Sequence, residues 1–227
     1  MSSSKKINRR ELIKLGFGAA AGLVGGKLLA NERKDSNCQL TPKETAGPFY
    51  PTKDQLDKDV DLTIVQGAGG RAEGDIIYVS GQVLDQDCQP VDGALVEIWQ
   101  ANKWGRYHHE ADPNPARFDP NFQGWGQVIT DENGDYSFKT IFPGAYPVSS
   151  EWTRTPHIHF KVSRRGYHEL TTQMYFEGQD LNKTDRLILA MPDGEAERLI
   201  VKLDDASAEA EPDARQCRFD MVLKQVV

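Results

Sequence analysis

Basic charge is in short supply. The chain sets 27 Lys+Arg against 34 Asp+Glu, a formal net charge of −7. A nucleic-acid binder carries a basic patch or stripe, so that class is set aside. Cysteine is scarce too. Three residues cannot build a dense disulfide scaffold, and one of them has no intramolecular partner. Long apolar runs are missing: Leu15–Gly26 is Gly/Ala-rich and about a dozen residues long, short of the roughly 20 that cross a bilayer as a helix. Helical periodicity is nearly absent, with one short helix-like stretch at Lys183–Met191. What is present, 38% hydrophobic and 9% aromatic residues in 227, suffices for one globular domain that buries a core without staples. It excludes wholesale disorder.

The first 30 residues differ in kind from the rest. A basic start is followed by the small apolar run and then by Lys27-Leu28-Leu29-Ala30, the three-part layout of an export signal. Asn8-Arg9-Arg10-Glu11-Leu12-Ile13-Lys14 resembles the twin-arginine consensus. An amphipathic N-terminal helix is the plainer alternative, and Gly and Ala make a poor packing face for it. Residues 1–30 hold six basic groups and one acid, so the remainder carries −12. Twin-arginine cargo crosses the membrane already folded, often with a cofactor in place. The expected organisation is a signal peptide over 1–30, an extended segment packing on the core over 31–75, and a β-sandwich catalytic domain over 76–227. The expected location is periplasmic or extracellular, with no membrane part in the mature form.

Strand signals dominate after residue 75. They fall at Ile76–Leu84, Ala94–Gln100, Gly126–Thr130, Asp135–Thr140, His157–Val162, Thr171–Phe176, Leu199–Leu203 and Arg218–Lys224, rich in β-branched and aromatic residues and separated by turn residues. Asn133-Gly134 reads as a type I′ hairpin turn. Gly67–Ala72 matches a lax dinucleotide fingerprint but leads into the strand-like Ile76-Ile77-Tyr78-Val79. The phosphate cradle would lack its helix, and the motif is rejected. The fold class expected is all-β: a two-sheet β-sandwich, prealbumin- or immunoglobulin-like, with long loops and little helix.

Five histidines are available, and His157-Ile158-His159 is the informative pair. In a strand, residues i and i+2 share a face, so both imidazoles can reach one ion while Ile158 and Phe160 pack on the other side. Alone, His-x-His is as often a surface pair as a ligand pair. Its neighbours are unusual for a structural strand: Gly144-Ala145-Tyr146-Pro147 and Arg154-Thr155-Pro156 lie just upstream. A second cluster, Trp99 to His109, leaves a strong strand and enters a loop, where functional residues concentrate. An isolated Tyr such as Tyr107 is ordinarily a packing residue.

Together these blocks resemble the intradiol ring-cleaving catechol dioxygenases, which are non-haem iron(III) enzymes. The likeness runs from about Thr45 to the C-terminus. It rests on Thr45-Ala46-Gly47-Pro48-Phe49-Tyr50, Arg71-Ala72-Glu73-Gly74, Val96-Glu97-Ile98-Trp99-Gln100-Ala101-Asn102, Gly105-Arg106-Tyr107, Pro143-Gly144-Ala145-Tyr146-Pro147 and Arg154-Thr155-Pro156-His157-Ile158-His159-Phe160. The resemblance implies that Tyr107, Tyr146, His157 and His159 ligate Fe(III), and that both atoms of O2 enter a catechol-type substrate to give a cis,cis-muconate-type diacid. It gives Tyr146 a base-like role and Arg154 a charge-stabilising one, with Gln173 lining the site. His108, His109 and His168 have no ligand counterpart. Phenolate, a hard donor, suits iron(III).

The length is nearer the protocatechuate 3,4-dioxygenase-like branch, which pairs related chains; a homo-oligomer or such a pairing is therefore expected. Val148 stands where a larger aromatic would suit a protocatechuate pocket, so the substrate stays open. Export is unusual for a family that degrades aromatics in the cytoplasm. Two alternatives carry different predictions. An exported β-sandwich binding protein that had lost the chemistry would have substituted ligands. A zinc or copper site on His157 and His159 would need a cysteine or carboxylate nearby. Cys38, Cys88 and Cys217 leave a disulfide and free thiols equally open.

Overall fold

The computed structural model describes residues 38–55, 57–207 and 210–226. The export segment expected over residues 1–30 lies outside them. Twelve strands occur among the described residues: β1 (Ile76–Asp85), β2 (Leu95–Trp99), β3 (Trp125–Ile129), β4 (Asp135–Ile141), β5 (Tyr146–Ser149), β6 (Trp152–Arg154), β7 (His157–Ser163), β8 (Leu170–Phe176), β9 (Ile200–Val201), β10 (Asp204–Asp205), β11 (Arg215–Arg218) and β12 (Met221–Leu223). Two one-turn helices, α1 (Arg186–Leu189) and α2 (Ala196–Leu199), follow β8. The architecture is the expected all-β sandwich with little helix.

One sheet centres on β1, which pairs antiparallel with β4 and parallel with β11 and then β12. The other runs β3-β2-β7-β8-β9. Along β1 alternate residues Ile77, Val79, Gly81 and Val83 point inward, the two-residue period of a strand with one face on a core. Facing them are Val96 and Ile98 of β2, Ile158, Phe160 and Val162 of β7, and Met174 of β8, in one continuous hydrophobic core. The outer face of the second sheet is covered as well. Residues 38–50 cross it, with the Glu44 N–H donating to the Thr171 carbonyl at 2.9 Å and Thr172 Oγ1 to the Pro42 carbonyl at 2.8 Å.

The structure departs from the expected strands at two places. Asn133-Gly134 is a turn but joins no hairpin, because β3 pairs with β2 and β4 with β1. The Asp131 carboxylate organises the crossing between sheets by accepting from the Asn133 and Asp135 N–H groups at 2.9 and 3.0 Å. The strand expected over Arg218–Lys224 is broken at Phe219-Asp220, between β11 and β12. There the backbone passes over Gly81 so closely that a Cβ on residue 81 would lie 2.0 Å from the Phe219 carbonyl oxygen.

The loops that follow β2 and precede β5 also meet at van der Waals limits. Gly105 has φ +79°, and a Cβ there would sit 2.1 Å from the Ala145 carbonyl oxygen; one on Gly144 would sit 2.4 Å from the Gly105 nitrogen. The Gly144 N–H donates to the Asn102 carbonyl at 2.9 Å. Gly105→Ala is expected to cost about 2–5 kcal/mol of stability. Gly178→Ala, at φ +78° but with nothing within 4 Å, should cost only roughly 1–2 kcal/mol. Denaturant unfolding of the two variants checks the difference; equal losses would show that the loop contact is unimportant.

Cys38 and Cys88 form a disulfide spanning 50 residues, which fastens the start of the 38–50 segment to the β1 end of the sandwich. Cys217 is a buried free thiol, and burial pushes its pKa up to about 12. A thiol titration should therefore count none in the native protein, one after denaturation and three after reduction. Three thiols in unreduced, denatured protein would contradict the bridge.

Candidate metal centre

The site is built on the outer face of β7. His157 and His159 alternate with the core residues Ile158 and Phe160, as a strand requires. Their cross-strand neighbours follow from register: His159 lies between Trp99 of β2 and Gln173 of β8, and His157 opposite Tyr175. The Trp99 ring stacks on the His159 ring, with centroids 4.8 Å apart and planes 5° from parallel.

Tyr107 arrives on the loop after β2. Asn102 Oδ1 accepts from the Trp104 and Arg106 N–H groups at 2.9 and 3.1 Å, and Asp112 accepts from the Tyr107 N–H at 2.7 Å. These side-chain-to-backbone bonds replace a regular element. Tyr146 and Arg154 sit opposite each other in the β5–β6 hairpin. Arg154 is three residues before His157, so the hairpin delivers both to the same point.

Tyr107, Tyr146, His157 and His159 are 3%, 7%, 2% and 2% exposed. Tyr107 Oη is 3.2 Å from His157 Nε2, which is 3.2 Å from His159 Nε2. The Tyr107 and Tyr146 rings meet edge to face at 5.4 Å. Phe49 covers Tyr107, with ring centroids 4.8 Å apart. His157 Nδ1 donates to the Thr155 carbonyl at 2.7 Å, so its Nε2 carries a lone pair turned into the cluster.

Burial raises the Tyr107 pKa well above its ordinary value, and the neighbouring Tyr146 adds to this. Tyr146 is also raised by burial, against the pull of Arg154. Burial, then Arg154 and His159, holds His157 well below the usual imidazole range; burial and then Arg154 take His159 down to about 3. Burial thus favours the neutral form of all four side chains. The Thr45 backbone partly offsets the lowering at His159, whose buried Nδ1 makes no well-aligned hydrogen bond. A cation held among these atoms would accept imidazole nitrogens as donors and would lower the phenol pKa values.

The donor set fits iron(III). No group of three His, Cys, Asp or Glu residues is gathered among the described residues, and Tyr107 and Tyr146, beside the His pair, can supply anionic oxygen. Two neutral nitrogens and two phenolates suit a hard trivalent ion, and zinc or copper poorly.

Around the four lies a buried polar shell. Arg154 Nη2 donates to Gln173 Oε1 at 2.6 Å, and Gln173 Nε2 to the Thr45 carbonyl at 2.9 Å. Arg154 Nε donates to Asp185 Oδ2 at 2.8 Å. Burial opposes the charge on Arg154, but Asp185 and the nearby phenols outweigh it and raise the pKa. All six residues singled out in the sequence, Tyr107, Tyr146, Arg154, His157, His159 and Gln173, therefore fall in one cluster. His108 packs on Phe118 and His109 faces Phe49, outside the donor set. Sequence reasoning missed Asp185, Tyr175 and the Thr155 carbonyl. Asp185 alone left a trace, as a capping residue before Arg186-Leu187-Ile188-Leu189.

A family model described as dioxygenase matches residues 45–225. The chain is 40% identical over 186 residues to the protocatechuate 3,4-dioxygenase beta chain of Burkholderia cepacia, covering 80% of this chain and 78% of that one. It is 35% identical over 165 residues to catechol 1,2-dioxygenase of Candida albicans, covering 65% of this chain and 50% of that one. It spans about half the length of the catechol 1,2-dioxygenases it matches. Among solved structures, the dioxygenase domain of a dioxygenase carbohydrate-binding protein fusion from Streptomyces sp. SirexAA-E is similar, with a TM-score of 0.60, 29% identity, and coverage of 83% of this chain and 100% of that chain. With the match running from the Thr45 segment past β12, the chain belongs to the intradiol ring-cleaving dioxygenase family.

Proposed function

We propose that Tyr107, Tyr146, His157 and His159 hold iron(III), and that the protein opens a catechol-type aromatic between its two hydroxyl-bearing carbons, inserting both atoms of O2 to give a cis,cis-muconate-type diacid. The carrying observation is the convergence of two phenol oxygens and two imidazole nitrogens in one buried cluster. Iron(III) held by these four residues would supply Lewis acidity toward a catechol-type substrate.

The chain's own residues do the rest. Tyr146 is the most exposed of the four and lies on the hairpin rather than the sheet. Its Oη is the base placed to accept a catechol proton. Arg154 lowers the cost of negative charge at Tyr146 and, by the same field, of charge spread over the bound ring. Gln173 fixes the guanidinium and ties it to the Thr45 segment. Phe49 keeps water from Tyr107.

The twin-arginine reading of residues 1–30, with residues 31–75 as an extended wrap and 76–227 as the catalytic sandwich, makes this an exported enzyme. The Cys38–Cys88 disulfide supports an oxidising destination. The beta-chain name of the Burkholderia relative supports self-association or pairing with a related chain. Val148, exposed and two residues after Tyr146, is small where a protocatechuate pocket would suit a larger aromatic, and the choice among catechols stays open.

Iron-loaded protein is expected to be burgundy from phenolate-to-iron(III) charge transfer, to lose the colour to a chelator, and to consume O2 with one or more of catechol, protocatechuate, hydroxyquinol and chlorinated catechols. Tyr107→Phe and His159→Ala should abolish colour and uptake together. Yellow semialdehyde products, or full uptake in both variants, would overturn the proposal.

A further inference from the structure

One buried carboxylate reaches both the charge-stabilising arginine and the support of a histidine in the donor set. Asp185 Oδ2 accepts from Arg154 Nε at 2.8 Å and from the Thr155 N–H at 3.0 Å. The carbonyl of Thr155 in turn receives the His157 Nδ1 proton at 2.7 Å. Thr155 is gripped a second time, its Oγ1 donating to Asn182 Oδ1 at 2.7 Å. Asp185, Thr155, Arg154 and His157 are all buried, so water cannot replace any of these partners. The other oxygen, Asp185 Oδ1, accepts from the Leu187 N–H at 3.0 Å and caps α1.

The geometry assigns Asp185 as the positioning residue of this centre, holding the Arg154 guanidinium and, through the Thr155 peptide, the proton on His157 Nδ1. The assignment rests on the iron(III) reading above. A protonated Nδ1 leaves Nε2 as the only basic nitrogen of His157 and sets the ring plane; partners at that remove typically change metal affinity or activity by about 10–100-fold. A bare capping role needs only an acceptor on residue 185, which asparagine provides. Positioning needs the charge and both acceptor contacts at Oδ2, which asparagine does not.

The test compares iron-loaded wild type, Asp185→Asn and the neutral pair Arg154→Gln/Asp185→Asn. Three quantities are read: melting temperature, iron surrendered to a competing chelator, and, for the single variant, kcat and KM with the best catechol. Asp185→Asn is expected to hold iron about 10–100-fold less tightly. Its kcat should fall by about 10²-fold while KM moves only a few-fold. The neutral pair, which leaves no unpaired buried charge, should regain the melting temperature but not the iron. It also keeps the test open should the single variant fail to fold. Iron retention within twofold of wild type in Asp185→Asn, or retention that returns with the melting temperature in the neutral pair, would reduce Asp185 to a cap and overturn the assignment. A wild type that takes up no iron and no O2 defeats the iron reading itself, and this inference with it, before any variant is compared.

Discussion

Everything in the site depends on the two-residue period of β7. Ile158, Phe160 and Val162 are locked into the core between the sheets, and that packing fixes where His157 and His159 point. A one-residue slip would turn the imidazoles into the core and the core residues into the site, at a cost no local contact could offset. The hydrophobic core thus acts as the alignment device for the donor set. The remaining groups are brought to β7 by loops: Tyr107 by a run of side-chain-to-backbone bonds, Tyr146 and Arg154 by a two-stranded hairpin.

The electrostatics follow from burial. Phenols and imidazoles out of water resist ionisation, and a bound cation would have to overcome that resistance at the two tyrosines. The charge that shapes the surroundings belongs to Arg154, and a buried arginine is tolerable only because Asp185 neutralises it at contact distance. In a chain whose overall charge is −7, this internal pair sets the local field where an anionic substrate is expected to dock.

Much of this was legible in the sequence, for unequal reasons. His-x-His in a β-branched context could be placed on one strand face from periodicity alone, and the core residues between them with it. Tyr107 and Tyr146 could not: each sits on a loop without periodic signal, and only the family resemblance singled them out. Asn133-Gly134 was readable as a turn because turn chemistry is local. Which strands it joins is not local, and the turn crosses between sheets instead of closing a hairpin. The break at Phe219-Asp220 depends on a backbone passing over Gly81, 138 residues away. Asp185 escaped for the same reason. Its partner Arg154 is 31 residues upstream, and an aspartate before a helical turn looks like any other cap.

The pairing of β1 with β11 and β12 has a consequence for how the protein is made. The central strand of one sheet is completed by β11 and β12, with Gln82 bonded to Asp220 across 138 residues. Contacts of such high sequence separation close long loops before they yield any stabilisation, which makes folding slow and nearly all-or-none. A nascent chain still on the ribosome has β1 with an open edge, and it acquires its finished sandwich only after residue 223 has emerged. If residues 1–30 direct export of the folded protein, as proposed above, the sandwich becomes fit for transport only once β12 has emerged to close that edge.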